Sequence, residues 1–163
     1  MDYEVRPIRQ EEWPLLADFL YEALFIPEGF EGEIPRAAIY EDPKCYAAID
    51  GFGSLPDDRA VVATAGGEVV GACWVRTTDA YGHIDSATPT FSISLYPHYR
   101  NHGIGTALMQ RLLADLRESG YARASLSVSR DNPAVRLYER LGFVVVGGDA
   151  DAGEYLMVID LQS

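Results

Sequence analysis

A glycine-rich turn links two regular segments near the middle of this chain and reads Tyr96-Pro97-His98-Tyr99-Arg100-Asn101-His102-Gly103-Ile104-Gly105-Thr106-Ala107-Leu108. Alternating apolar and polar residues over 91–96 predict a strand before it, and helical spacing of apolar residues over 104–119 predicts a helix after it. The first N–H groups of a helix lack intrahelical partners, and glycines remove the Cβ atoms that would keep a ligand away from them. The turn therefore indicates an anion site, although two glycines before a helix can also serve only as a turn.

Two common phosphate-binding motifs do not fit this turn. A dinucleotide fingerprint requires a third glycine where this chain has Leu108. A P-loop requires Gly-Lys-Ser/Thr, whereas Gly105 is followed here by Thr106 and Ala107. The sequence therefore favours neither a Rossmann nucleotide site nor a P-loop.

A second pattern lies about 26 residues further on and reads Asn132-Pro133-Ala134-Val135-Arg136-Leu137-Tyr138-Glu139-Arg140-Leu141-Gly142-Phe143. Asn132 is a good N-cap, Pro133 suits the first helical position, and Gly142 is a typical stop signal. Strict alternation over 122–129 predicts a strand between the two patterns. The sequence thus predicts a strand over 122–129 and a helix that begins near Asn132 and ends at Gly142.

The remaining segments complete one layered α+β domain over residues 1–163. We expect an opening strand near 3–8, a helix over 11–24, irregular chain over 25–43 and a short helix over 44–49. A hairpin over 60–76 turns at Gly66-Gly67, and two strands over 143–147 and 155–161 close the chain. The predicted order is β-α-α-β-β-β-α-β-α-β-β, which indicates a mixed sheet covered by helices.

The two patterns, in this order and with a strand between them, resemble the cofactor-binding motifs of the GNAT family of N-acetyltransferases. The resemblance implies a three-layer α/β/α fold whose central sheet is mixed, mostly antiparallel and splayed at the cofactor-binding strand. It also implies transfer of an acetyl or short acyl group from acetyl-CoA, the acyl donor, to an amine acceptor by direct attack. No metal is implied.

The resemblance also assigns roles to individual residues. The main chain of Leu95 and Tyr96 would pair with the pantetheine arm, and Asn132 would contact the same arm. The resemblance implies that the pyrophosphate lies on the turn formed by Arg100, Asn101, His102, Gly103, Ile104, Gly105 and Thr106. Tyr138 would act as the general acid toward the leaving thiolate. From the residues alone, Tyr138 is an aromatic side chain on an apolar helix face, and Arg136 and Arg140 are either surface charges or 3′-phosphate ligands.

The general base and the acceptor stay open at this stage. Many family members carry a glutamate on or near the strand before the turn, but residues 90–95 hold no carboxylate. Asp79 or Asp85 could act through water. The missing glutamate also leaves a second hypothesis, a CoA-binding or ligand-sensing module with little catalysis. Residues 25–34 mix aromatic and acidic side chains, which suits either an amine pocket or a lid.

The composition indicates which kinds of partner and which cellular compartment to expect. The net charge is −12, which disfavours nucleic acid and anionic membranes, yet residues 98–140 carry seven arginines against four acidic residues. No apolar run is long enough to span a bilayer, and the first four residues lack the order of a signal peptide. Two cysteines, Cys45 and Cys73, are expected to be reduced, and the three histidines do not show zinc-site spacing. We therefore predict a cytoplasmic protein without metal, and leave open a homodimer.

Overall fold

The computed structural model describes residues 1–26, 29–148 and 153–162. The strands are β1 (Glu4–Pro7), β2 (Arg59–Ala65), β3 (Glu68–Arg76), β4 (Thr90–Leu95), β5 (Arg123–Ser129), β6 (Val144–Gly147) and β7 (Glu154–Asp160). The α-helices are α1 (Leu16–Glu22), α2 (Ala38–Glu41), α3 (Pro43–Tyr46), α4 (Ile104–Glu118) and α5 (Ala134–Leu141). Among these described residues, no helix combines the length and the apolar character needed to cross a membrane.

The seven strands form one mixed sheet in the order β1-β2-β3-β4-β5-β7-β6. All neighbouring strands run antiparallel except β4 and β5, which are parallel. These two strands pair only at Thr90 and Ser125, at the beginning of β4. They are therefore apart at Leu95, where β4 ends, and the predicted mostly antiparallel, splayed sheet is confirmed.

The strand alternation buries apolar residues on both faces of the sheet. On one face Val61, Cys73 and Phe91 pack with Leu108, Leu112 and Leu116 of α4. On the opposite face Val62, Ala72 and Trp74 pack with Leu16, Phe19 and Leu20 of α1. This arrangement is the expected three-layer α/β/α architecture.

Local differences from the predicted elements have simple causes. The predicted helix over 11–24 begins as a 3₁₀ helix, Gln10–Leu15, and becomes α-helical only at Leu16. Pro14 lies inside that 3₁₀ segment, where a missing N–H interrupts regular α-helical bonding. The segment 25–43, predicted as irregular, contains the single-turn helix α2. The hairpin turn is as expected, since Gly66 and Gly67 both have positive φ, at 59° and 83°.

Candidate functional site

A cleft of about 900 Å³ opens where β4 and β5 separate. Its walls come from the end of α1 and the segment after it, from β4, from the glycine turn and from α5. The lining residues are Tyr21, Glu22, Ala23, Leu24, Phe25, Ile26, Ile34, Ile93, Ser94, Leu95, Pro97, Arg100, Asn101, Gly103, Gly105, Thr106, Asn132, Pro133, Ala134, Leu137, Tyr138 and Arg140. Most of the predicted site residues therefore meet in one cavity. Tyr96, His102 and Ile104 do not line it.

At the end of β4, the main-chain groups point alternately toward β3 and toward the gap beside β5. The N–H of Tyr96 donates to the carbonyl of Val70 at 3.0 Å, so this group belongs to the β3–β4 ladder. Main-chain groups alternate along a strand, which turns those of Ile93 and Leu95 toward the gap beside β5. Of the two residues predicted to pair with the pantetheine arm, Leu95 turns its main chain toward this gap, as Ile93 also does, whereas the Tyr96 N–H is already used in the ladder. Sequence reasoning could have found Ile93 from the two-residue period of the strand.

The glycine turn presents its backbone to the cleft. Asn101 and Gly103 have positive φ, at 65° and 81°, whereas His102 between them does not. A backbone whose φ alternates in sign in this way directs successive N–H groups to one side. Gly103 is also the residue before α4, whose first turn contains no acidic side chain to neutralise the helix dipole. Ile104 is fully buried in the core and anchors the turn.

The two glycines of this turn leave open space beside the backbone. A Cβ built on Gly103 would have no atom within 4 Å. A Cβ built on Gly105 would meet only side-chain carbons of Leu137, Ile93 and Leu95, at 3.8–3.9 Å. The absent Cβ atoms therefore leave open volume at a positive helix end, which suits an anion approaching the backbone.

Arg100 connects the turn to two neighbouring elements. Its Nε donates to the Leu95 carbonyl at 3.2 Å, and its Nη2 donates to the carboxylate and the carbonyl of Glu22 at 3.2 and 3.3 Å. Its side chain is 44% exposed. The guanidinium therefore binds α1 to the end of β4, at the edge of the cleft.

Asn132 and Tyr138 lie on the α5 side. The Oδ1 of Asn132 accepts from the N–H of Ala134, the first residue of α5, at 2.9 Å. The residue directly before the helix is Pro133, so Asn132 lies one position earlier than the predicted cap. Tyr138 is only 8% exposed, and burial, with a smaller contribution from Cys73, raises the pKa of its phenol well above the ordinary value. Gly142, in the left-handed conformation, ends the helix, and Phe143 stacks edge-on against Tyr138 at 6.1 Å. The side chain of Tyr138 is thus held in place by packing, with its phenol protonated at neutral pH.

The two aspartates considered as a base lie outside the cleft lining. Asp85 accepts from Thr88 Oγ1 at 2.8 Å and from Arg123 Nη2 at 2.6 Å. These hydrogen bonds, with that from the Ala87 N–H, lower the pKa of Asp85 to about 2. A carboxylate this acidic that does not line the cleft is a poor base, and Asp79 is exposed on the same loop.

Three further predictions from the sequence can be compared with the structure. No group of three or more His, Cys, Asp or Glu side chains with metal-site geometry occurs within the described ranges. Of the two arginines considered for the 3′-phosphate, Arg140 lines the cleft and Arg136 does not. In the segment 25–34, Phe25, Ile26 and Ile34 line the cleft, whereas Glu31 and Glu33 are exposed outside it, and Glu28 lies outside the described residues.

The site thus combines a mixed sheet that is splayed at one parallel pair with a helix N-terminus that faces the gap. Residues 10–143 match the family described as Acetyltransferase (GNAT) family. The chain belongs to this family.

Curated relatives and solved structures agree with that assignment. The chain is 36% identical over 81 residues to mycothiol acetyltransferase of Corynebacterium glutamicum (strain R), and the match covers 49% of this chain and 26% of that protein. It is 41% identical over 61 residues to the [ribosomal protein bS18]-alanine N-acetyltransferase of Escherichia coli (strain K12), covering 37% and 40% of the two chains. The chain thus spans well under half the length of these relatives.

The fold similarity extends over the whole length. The PaiA N-acetyltransferase of Thermoplasma acidophilum, solved in complex with coenzyme A, superposes with a TM-score of 0.69 at 20% identity. The superposition covers 98% of this chain and 99% of that one. At this identity the similarity establishes the fold alone.

Proposed function

We propose that this protein transfers an acetyl or short acyl group from acyl-CoA to an amine of a small molecule or peptide, by direct attack. The observation that carries the proposal is the cleft where β4 leaves β5, which joins the glycine turn at one end to Tyr138 on its wall. Membership of the acetyltransferase family supports the same reaction class.

Each part of the cleft has a task in this proposal. Acyl-CoA supplies a thioester carbonyl and a thiolate leaving group. The N–H groups of the turn around Gly103 and Gly105 hold its pyrophosphate, and the main chain of Ile93 and Leu95 with Asn132 holds the pantetheine arm. Tyr138, neutral because its phenol is buried, gives a proton to the departing sulfur.

The proposal is tested by binding and turnover together. Acetyl-CoA and 3′-dephospho-CoA are titrated calorimetrically into the purified protein, and release of the CoA thiol is then followed with a panel of primary amines. We expect binding of acetyl-CoA and amine-dependent thiol release. Binding without turnover for any amine would favour the second candidate, a CoA-binding module with little catalysis, and no binding would remove the assignment.

Tyr138→Phe is expected to lower kcat by roughly 10²-fold or less, with little change in the KM for acetyl-CoA. The loss is limited because a thiol ionises near pH 8.5, which makes the thiolate a fair leaving group without protonation. Since the pKa of Tyr138 is raised above its ordinary value of 10, the phenol stays protonated through neutral pH. The ratio of wild-type to variant kcat should therefore be constant between about pH 6 and about pH 9.

The control for this variant is Tyr40→Phe, which changes an exposed tyrosine on α2 outside the cleft. Steady-state kinetics of both variants with one amine give the comparison. A Tyr138→Phe enzyme as active as the Tyr40→Phe enzyme would exclude Tyr138 as the acid.

A further inference from the structure

Glu22 is the last residue of α1 and lines the cleft. Its side chain is 23% exposed. Among the residues that the structure describes, no other Asp or Glu lines this cavity. The proposed reaction needs a group that accepts a proton from the amine, and Asp85, bound to Arg123, does not line the cleft. Among the residues that the structure describes, Glu22 is therefore the carboxylate that lines the cavity proposed to bind the acyl donor.

Three contacts fix the end of α1 to the end of β4. The hydroxyl of Ser94 donates to the carbonyl of Phe19 at 2.5 Å, and the Phe19 ring lies 4.8 Å from the Tyr96 ring. Arg100 then bridges the Glu22 carboxylate and the Leu95 carbonyl through different nitrogens. The carboxylate is thus held beside the stretch of β4 main chain that faces the gap.

The charge at this position favours a cation. Glu22 ends a helix, where unpaired carbonyls already carry the negative end of the dipole, and a carboxylate is intrinsically unfavourable there. The nearby Arg100 divides its donors among the Leu95 carbonyl, the Glu22 carbonyl and one carboxylate oxygen, Oε2. Oε1 of Glu22 has no hydrogen bond to the described residues and can accept from a ligand with several N–H donors.

The wall beside Glu22 is apolar. Leu24, Phe25, Ile26 and Ile34 line this part of the cleft. The hydroxyl of Tyr21 donates to the Ile34 carbonyl at 2.5 Å and so attaches the far side of the wall to α1. A ligand seated here would place an ammonium at Glu22 and an apolar body against these side chains.

We infer that Glu22 binds the acceptor as a primary ammonium with an apolar body and takes its proton, with Arg100 as the positioning residue. This inference rests on the proposed acyl transfer. One N–H proton of the ammonium passes to the Glu22 carboxylate and from there to solvent. The freed nitrogen lone pair bonds to the acyl carbon as the C–S bond breaks, and the sulfur receives a proton from Tyr138. The nitrogen then loses its second proton, which restores the Tyr138 phenol, and the products are an amide and CoA thiol.

The test compares Glu22→Gln with wild type and with Glu118→Gln. Glu118 also ends a helix, α4, but is exposed and lies outside the cleft, so its substitution makes the same charge change at an equivalent position. The probes are 2-phenylethylamine, the uncharged 2-phenylethanol and a tetrapeptide with a free N-terminal phenylalanine. The two amine probes distinguish a small-molecule source of the ammonium from a peptide terminus.

We expect Glu22→Gln to lower kcat/KM for the preferred amine about 10²-fold at neutral pH, with an unchanged KM for acetyl-CoA. The difference in kcat/KM between wild type and Glu22→Gln should shrink as the pH approaches about 10, because an alkylamine then loses its proton to solvent without a general base. Glu22→Asp should restore part of the activity, and Glu118→Gln should match wild type. A merely structural role for Glu22 would not produce this convergence at high pH.

Calorimetry on the CoA-saturated proteins gives a second readout that does not need turnover. Wild type should bind an amine probe and not 2-phenylethanol, and Glu22→Gln should bind the amine at least about tenfold more weakly. Equal amine binding by wild type and Glu22→Gln, or no amine binding by wild type, overturns the inference. If wild type turns over and Glu22→Gln keeps the same rate and pH profile, Glu22 is excluded while the transferase function stands.

Discussion

Replacing Gly105 by valine is expected to weaken acetyl-CoA binding at least about a hundredfold while the protein stays folded. Hydrogen bonds to a charged group each contribute about 1.5–3 kcal/mol, so displacing the pyrophosphate from two N–H donors has an effect of this size or larger. The φ of Gly105 lies outside the positive range, and its Cβ would meet its neighbours only at 3.8 Å or more. The fold therefore tolerates a side chain here, and the added methyl groups fill the space proposed for the phosphate.

The comparison for this prediction is Ala114→Val, which places the same β-branched residue at an exposed position of α4. Gly105→Ala provides an intermediate step, with an expected loss of about tenfold. Calorimetry measures affinity and circular dichroism measures folding for all three variants. Wild-type affinity in a folded Gly105→Val protein would remove the turn from the cofactor site.

Asp58→Ala is expected to lower the free energy of unfolding by about 3–5 kcal/mol, because it leaves Arg76 as a buried charge without a counter-ion. The side chains of Arg76 and Asp58 are 4% and 2% exposed, and their Nε and Oδ1 atoms are 2.9 Å apart. Arg76 also donates to the carbonyls of Ala47 and Asp50, and Asp58 accepts from the N–H groups of Gly53 and Leu55. The pair therefore organises the chain between α3 and β2.

Urea denaturation and thermal melting measure this effect, with an expected fall in Tm of about 6–20 °C for a chain of this size. The matched variant is Asp115→Ala, which breaks the exposed Arg111–Asp115 pair at 3.6 Å. An exposed pair of this kind contributes about 1 kcal/mol or less. Equal destabilisation by the two substitutions would contradict the buried-pair argument.

Short-range sequence patterns predicted α4 and α5, the two helices beside the proposed acyl-CoA site. The helix predicted over 104–119 is observed over Ile104–Glu118, because its apolar period, its preceding Gly103 and its following Gly120 all lie within one segment. Local signals also predicted α5, with Asn132 bonded to its first N–H and Gly142 at its end, although the helix begins one residue later than expected. The 3₁₀ start before α1 was not predicted, because Pro14 is compatible with the first turn of either helix type.

The part of the cleft proposed to bind the acceptor, around Glu22, could not be predicted from local patterns. Asp85 is a plausible base in the sequence, and only its contact with Arg123, 38 positions away, shows that it is held elsewhere. Glu22 carries no signal of its own, since its partner Arg100 is 78 positions away. A role that depends on contacts between distant parts of the sequence can be proposed only once the folded structure is known.

The single pair between Thr90 and Ser125 also has a mechanical consequence. The helix α4 packs on β1–β4 and α5 packs on β5, so each half of the sheet carries its own backing layer. The neighbouring ladders resist sliding through many paired positions, whereas this boundary has one paired position and otherwise relies on the shared side-chain core. A ligand that contacts both β4 and α5 would therefore add a mechanical link between the two halves of the sheet.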